Sequence, residues 1–474
     1  MRQFKILATA LGAALLVAAC GGGGNGDQSP AIKYSSVVSF GDSLSDAGTY
    51  AVPSIKGLGG GMFTVNGIAG AVGADPTPSY NWAQLVSAAA IGKVSCSARL
   101  GGFGALESIV LGCTNYAQGG SRVTDGVGTN NTVAGAALVA AGAATPGPLT
   151  ESVLTQIASF VADNNGNFKG TELVTMLAGA NDIFGQTDKL KTDATAAGTA
   201  EGARVGALTF GNALVGALAA GATDPATAAQ AIGLAMQTES ARTGSTSASV
   251  VGAAVGAAAI QPGNSAVGAP AVYGPMVAAA TTAATTAGAT AGAAFGANYA
   301  ATTGAGIAVA GMTTAAATLA TYIKDMVNNK GAKHIVVVNL PDVSQTPMAM
   351  ATPTSQQQLV LAMTMAFNTE LQKLEGTPGV LMVDAFAENR RQLATPAHYA
   401  LTNVKDVACN LNYGFNPLAT LGNADGSSLA CKSSNLVAGD SSHYLFADGV
   451  HPTPYGHKLL AQYVTKAMVI AGWL

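Results

Sequence analysis

Charge is the scarcest property of this sequence. Asp, Glu, Lys and Arg make up 10% of its 474 residues, against about a quarter in ordinary soluble domains. No basic block occurs and the formal net charge is −3, which argues against nucleic acid as a partner. Aromatic residues are also few, at 6%, although 49% of the chain is hydrophobic. Much of that apolarity is therefore alanine, and large core-forming side chains are thinly spread. Between Arg242 and Lys324 there is no charged residue at all. This tract is still not expected to cross a membrane, because Ala, Gly and Thr are barely apolar on transfer scales and glycines recur throughout it. Cysteine is limited to five residues, and none of their spacings resembles a zinc ligand pair.

The first residues read as an export signal. Arg2 and Lys5 supply a positive start, Ile6 to Leu16 an apolar run too short to span a bilayer, and Val17-Ala18-Ala19-Cys20 closes it. The ending resembles a bacterial lipobox, which implies cleavage before Cys20 and diacylation of its thiol. Residues 1–19 are then a lipoprotein signal peptide and 20–33 a lipidated, Gly-rich tether. Gly21 after the cysteine resembles the sorting pattern of outer-membrane lipoproteins in Gram-negative bacteria. The four remaining cysteines form an even set in an oxidising compartment. The local pairings Cys96–Cys113 and Cys409–Cys431 are expected, each stapling one loop.

From residue 34 onward apolar strands alternate with amphipathic helices, which implies a mainly parallel sheet covered on both faces. Val37 to Phe40 runs into Gly41-Asp42-Ser43-Leu44-Ser45-Asp46. A strand ending there holds the Ser43 hydroxyl at the carboxyl edge of a sheet, where ligands bind in open α/β folds; the residue type suits a nucleophile or a helix N-cap. Asn81 is placed as the cap of a helix through Val86, and Ser108 to Leu111 as a short strand. Leu149 to Asn164 reads as a helix, and Glu172 to Leu177 as a strand entering Gly179-Ala180-Asn181-Asp182. Further strands are expected at His334 to Pro341 and Val380 to Asp384, and helices at Gln356 to Leu374 and Tyr455 to Ala471. The Ala/Gly/Thr-rich tract, about 194–318, reads as one large insertion, expected to be helical: either a cap over the site or a passive arm.

Four segments occur in order: GDSLSD at 41–46, NYAQGGS at 115–121, GAND at 179–182 and DGVHP at 448–452. Together they resemble the GDSL (SGNH) hydrolases, esterases and lipases with a three-layer αβα, flavodoxin-like fold. The resemblance extends from Ser36 to the C-terminus apart from the insertion, and includes GGMFTVNG at 60–67 and the prolines of Leu340-Pro341 and Thr346-Pro347. It implies Ser43 as nucleophile, His451 as general base and Asp448 as the group that holds the imidazole tautomer. It also implies an oxyanion hole from the Ser43 N–H, the Gly120 N–H and the Asn181 side-chain amide, with Gly119 as an alternative to Gly120 if the alignment slips. Around Ser43 the pattern G-x-S-x-G of the α/β-hydrolase elbow is missing.

Other polar residues near these blocks receive structural roles. Asp42 and Asp46 are expected to fix the serine turn, and His334 to be structural. His443 and His457 fall on different segments, so no metal is expected; His398 receives no role. The resemblance implies no cofactor, and acyl esters as substrates: lipid, lysophospholipid, short-chain or aryl. Two alternatives stand beside hydrolysis, namely acyl transfer by the same chemistry and a non-catalytic surface lipoprotein that uses a hydrolase scaffold for binding. Some relatives carry a C-terminal outer-membrane barrel; here the chain ends at Leu474, and the lipid on Cys20 is expected to serve as the anchor.

Overall fold

A computed structural model describes residues 32–67, 79–128, 147–411 and 427–474. The signal peptide, Cys20 and all but the end of the tether lie outside the described residues, as do parts of the loops at 50–80, 121–148 and 410–442.

In chain order the elements are β1 (Ser36–Gly41), α1 (Trp82–Ile91), β2 (Arg99–Gly102), β3 (Ala105–Ile109), α2 (Val153–Asp163), β4 (Glu172–Leu177) and α3 (Ala180–Ala219). They continue with α4 (Pro225–Ser240), α5 (Ser247–Ala259), α6 (Pro270–Tyr299), α7 (Ala305–Asn328), β5 (His334–Val338) and α8 (Thr354–Leu371). The last are β6 (Val380–Val383), α9 (Ala385–Ala394), β7 (Asn403–Val407), β8 (Tyr444–Phe446) and α10 (Pro454–Ile470). Strands β1, β4, β5 and β6 form one parallel sheet in the order β1-β4-β5-β6. Successive side chains of a strand point to opposite faces, and here both faces are apolar. Val38, Phe40, Val174, Met176, Ile335 and Val337 pack under α2, α7 and α8. Val37, Leu173, Leu177, Val336 and Val338 pack under α1 and α10. This is the expected three-layer αβα arrangement with a central parallel sheet.

The short strand expected at Ser108 to Leu111 is present, shifted to Ala105–Ile109, and lies outside the parallel sheet: Ser108 and Ile109 belong to the β2–β3 antiparallel hairpin, and Ile109 and Leu111 are exposed. The segment that runs along the free edge of β1 is 114–118. Ser39 donates its N–H to Thr114 O (3.1 Å), Tyr116 to Ser39 O (2.8 Å) and Gln118 to Gly41 O (3.2 Å). Its sequence, Thr-Asn-Tyr-Ala-Gln, has no β-branched run to announce it. The Cys96–Cys113 disulfide ties the hairpin to this segment. With 114–118 counted as the second strand position, the order becomes 2-1-3-4-5, the flavodoxin-like one, whose switch point lies between β1 and β4.

The insertion is helical, as expected, but residues 194 and 318 both fall inside helices. Helix α3 runs unbroken from the sheet edge for 40 residues, about 60 Å. It pairs with α6, and the pairing depends on glycine. A Cβ on Gly198 would lie 2.6 Å from Gly292 O, one on Gly202 2.8 Å from Gly288 O, and one on Gly292 2.6 Å from Gly198 O. Side chains at these positions would force the two backbones apart. Exposed threonines satisfy their hydroxyls within the helices, as Thr195, Thr199, Thr281, Thr285 and Thr290 do by donating to the carbonyl four residues earlier. Far from the sheet, Leu214, Leu218, Ile232 and Val255 close a small separate core. A π-helical turn at Ala300–Gly304 joins α6 to α7. By length and apolarity alone the run Pro270–Asn328 would cross a bilayer. Its α7 half is instead a core helix, with Met312, Leu319, Ile323 and Met326 buried against the sheet.

Candidate active site

Ser43 sits where β1 leaves the sheet. Gly41 has a φ of +150°, and a Cβ there would meet Leu177 O at 2.1 Å, so only glycine lets the strand turn this close to β4. The buried Gln156 of α2 clamps that turn: Gly41 N–H donates to Oε1 and Nε2 donates to Gly41 O, both at 2.9 Å. Asp46 holds the other side. Its carboxylate accepts from the N–H groups of Gly48, Thr49 and Gly119 at 2.9, 2.7 and 2.9 Å, a loop-fixing role as expected. Ser45 is held by Trp82 Nε1 (3.2 Å) and by Asn115 Nδ2 donating to its carbonyl (2.8 Å).

At the other end of the chain, β8 and a tight loop before α10 present Asp448 and His451. Ala447 N–H donates to His451 O at 2.7 Å. Asp448 Oδ1 accepts from the N–H groups of Val450 (2.9 Å) and His451 (2.8 Å), and Oδ2 lies 2.6 Å from His451 Nδ1. Ser428 N–H donates to the same Oδ2. His451 Nε2 lies 2.8 Å from Ser43 Oγ. Burial alone would raise the Asp448 pKa, but the His451 imidazole and these donors outweigh it and hold the carboxyl down at about 2. An ionised Asp448 keeps the proton on Nδ1, so the Nε2 lone pair faces the serine hydroxyl. The Phe63 ring lies beside the imidazole, centroids 5.0 Å apart.

The remaining residues meet the same point from two more directions. Asn181 is in the first turn of α3 rather than in a bare turn. One of its amide hydrogens goes to Ser121 O at 3.0 Å; the second remains for the pocket that Asn181 lines. Between Gly119 and Gly120 the structure distinguishes clearly. Gly119 N–H is spent on Asp46, and Gly119 O accepts from Tyr50 Oη at 2.8 Å. In a trans peptide C=O and N–H point opposite ways, so fixing that carbonyl turns the Gly120 N–H to the other side. The Gly120 and Ser43 N–H groups have no acceptor among the described residues. Ser43, Gly120, Asn181, Asp448 and His451 thus line one cavity of about 610 Å³, at the switch point between β1 and β4. The disulfide Cys409–Cys431 braces the segment that carries Ser428.

Sequence reading missed Gln156, Tyr50 and Ser428. No local pattern marks them, because each acts on a residue far away in the chain. Two set-aside histidines pack on aromatic rings: His334 edge-on against Tyr34 and Trp473, and His443 edge-on against Tyr455. His457 is buried in α10 near His451, where burial first and then the His451 imidazole push its pKa down to about 3 and keep it neutral.

Asp42 fixes the turn as expected, but through one oxygen only. Oδ1 accepts from Leu44 N–H at 3.0 Å, but the buried Oδ2 has no partner among the described residues. Burial pushes its pKa up to about 7, against the opposing pull of Leu44 N–H and His451, with Asp46 adding to the rise. Burial likewise raises Asp182 to about 7, although Val123 N–H bonds it. Such carboxyls keep protons that the unfolded chain has lost. Their stabilising contribution is full below the unfolded value of 3.8 and is lost as pH rises through about 7. The thermal midpoint is expected to fall by several degrees between pH 5 and pH 8, and Asp42→Asn to flatten that slope. A midpoint that rises over this range in the unaltered protein contradicts the assignment.

A family model described as GDSL-like Lipase/Acylhydrolase matches residues 193–464. The matched stretch contains Asp448 and His451 and begins after Ser43, Gly120 and Asn181, so the two halves of the site are joined by geometry. No curated protein matches the chain significantly.

Proposed function

Since the chain belongs to the GDSL-like lipase/acylhydrolase family, we propose that it is a serine esterase working through an acyl-enzyme on Ser43. The observation that carries this reading is the line of hydrogen bonds from Ser43 Oγ through His451 to Asp448. In the reaction Oγ attacks the ester carbonyl carbon while its proton passes to His451 Nε2. The carbonyl oxygen becomes an oxyanion facing the Ser43 and Gly120 N–H groups and the Asn181 amide. Removing one such donor typically costs about 2.7–4 kcal/mol of transition-state stabilisation. Collapse breaks the C–O bond to the alcohol, which leaves with the proton from Nε2. Water then repeats the sequence: its proton goes to Nε2, the acyl–Oγ bond breaks, and the acid leaves as Ser43 regains its proton.

The location is part of the same proposal. The Cys20 motif supports an exported lipoprotein on the outer membrane of a Gram-negative bacterium, with acyl esters reached from the membrane surface. The test is hydrolysis of p-nitrophenyl esters by the chain from residue 21 onward, beside labelling with a fluorophosphonate. Turnover with labelling is expected. A folded protein that neither turns over any ester nor takes the label overturns the enzyme reading and leaves a binding lipoprotein. Ester formation on adding an alcohol would assign transfer as well as hydrolysis.

A further inference from the structure

A second cavity adjoins the catalytic one. It is a groove of about 900 Å³ between the α3–α6 pair and residues 343–360, within the size range of small-molecule sites. Phe184, Thr187, Val343 and Met348 line both cavities, so the groove begins at the wall of the pocket that holds Ser43. Its sides are apolar: Phe184, Leu190, Met348, Leu359 and Val360 face it, with Lys191 as a charged residue. Its floor is the glycine face on which α3 and α6 touch, where Gly198, Gly202, Gly288 and Gly292 leave a trough instead of a ridge.

We propose that this groove binds the acyl chain of the substrate, which makes the enzyme a long-chain lipid esterase; the inference rests on the esterase reading above. Adjacency points to the occupant. A chain whose carbonyl carbon sits at Ser43 reaches the groove by passing between Phe184 and Met348, which line both cavities. Dimensions agree. From Asn181 to Gly202 the α3 axis rises about 30 Å. The hydrocarbon core of a bilayer, two disordered acyl chains end to end, is also about 30 Å thick, so the groove has room for a single fully extended chain along most of its length. Chemistry agrees as well, because an uncharged methylene chain asks only for apolar walls. The Ala/Gly/Thr tract thus becomes part of the substrate site: its small side chains leave room for the chain, and its length sets how much of it is covered.

The test compares two fluorophosphonates, one with an ethyl and one with a hexadecyl chain, on the folded chain from residue 21 onward and on two variants. Ala194→Phe places a ring in the groove about 20 Å along α3 from Asn181, and Gln356→Phe does so from the exposed opposite wall. Each methylene moved from water into an apolar site is worth about fourfold in binding, so excluding only a few is a large effect. Both variants are expected to react with the ethyl reagent at the unaltered rate and with the hexadecyl reagent at least tenfold more slowly. The ratio of kcat/KM for p-nitrophenyl palmitate to that for the butyrate is expected to fall in parallel. If the ethyl reagent reacts and both variants keep the long-chain rate, the groove proposal is overturned while the esterase stands. If the unaltered protein reacts with neither reagent, the esterase reading itself has failed. Should Ala194→Phe not fold, the exposed Gln356→Phe carries the comparison alone.

Discussion

Replacing Ser43 with alanine is expected to lower kcat/KM for p-nitrophenyl butyrate by about 10⁴–10⁶-fold, the range seen when a nucleophile that acts as one unit with its base is removed. The structure predicts almost no cost in stability. The Ser43 hydroxyl bonds His451 Nε2, while the turn around it is held by Gln156, Asp46, Trp82 and Asn115, none of which the substitution touches. The backbone N–H groups of Ser43 and Gly120 and the Asn181 amide also survive, so ester should still bind. The measurement is kcat and KM beside a thermal melt. A variant that melts normally and keeps activity within tenfold of the parent would show that Ser43 is not the nucleophile.

Asp448→Asn is expected to cost about 10⁴-fold in kcat, with a different accompaniment. All four groups around the Asp448 carboxylate are donors: the N–H groups of Val450, His451 and Ser428, and His451 Nδ1. An asparagine must point its own NH₂ at some of them. Either Nδ1 loses its acceptor, or the imidazole changes tautomer and presents an N–H to Ser43, which then cannot surrender its proton. Each buried donor left unpaired also costs about 1–3 kcal/mol, so this variant should melt lower than Ser43→Ala while remaining folded at room temperature. The pKa of about 2 adds a pH statement: Asp448 stays ionised through the working range of an esterase, so the acid limb of the pH–rate profile should not report its protonation. A variant with undiminished kcat would mean that something other than Asp448 orients the ring.

Much of this was legible in the chain itself. Strand β1 and its Gly-Asp-Ser turn, β4, β5 and β6, and the helices capped by Asn81 and ended near Ile470 follow from periodicity and turn chemistry, because those signals are local. The four motif blocks also named Ser43, Gly120, Asn181, Asp448 and His451, since a site built at strand ends leaves short polar marks after apolar runs. The strand position at 114–118 escaped, being polar and held to β1 by backbone bonds that no side-chain pattern reports. So did Gln156, Tyr50 and Ser428, whose effects on Gly41, Gly119 and Asp448 cross large intervals of sequence.

The insertion divides the two kinds of information most sharply. Composition determined that it is poor in charge, rich in small residues and helical, because Ala favours helix and Thr can bond back within it. Composition did not determine where it lies. That depends on Gly198, Gly202, Gly288 and Gly292 meeting across two helices some ninety residues apart in the chain, a fit between surfaces rather than a property of either. Only the folded chain turns a glycine-rich tract into the floor of a groove that adjoins the cavity of Ser43, because a cavity is made by the distance between elements, and sequence carries the elements but not that distance.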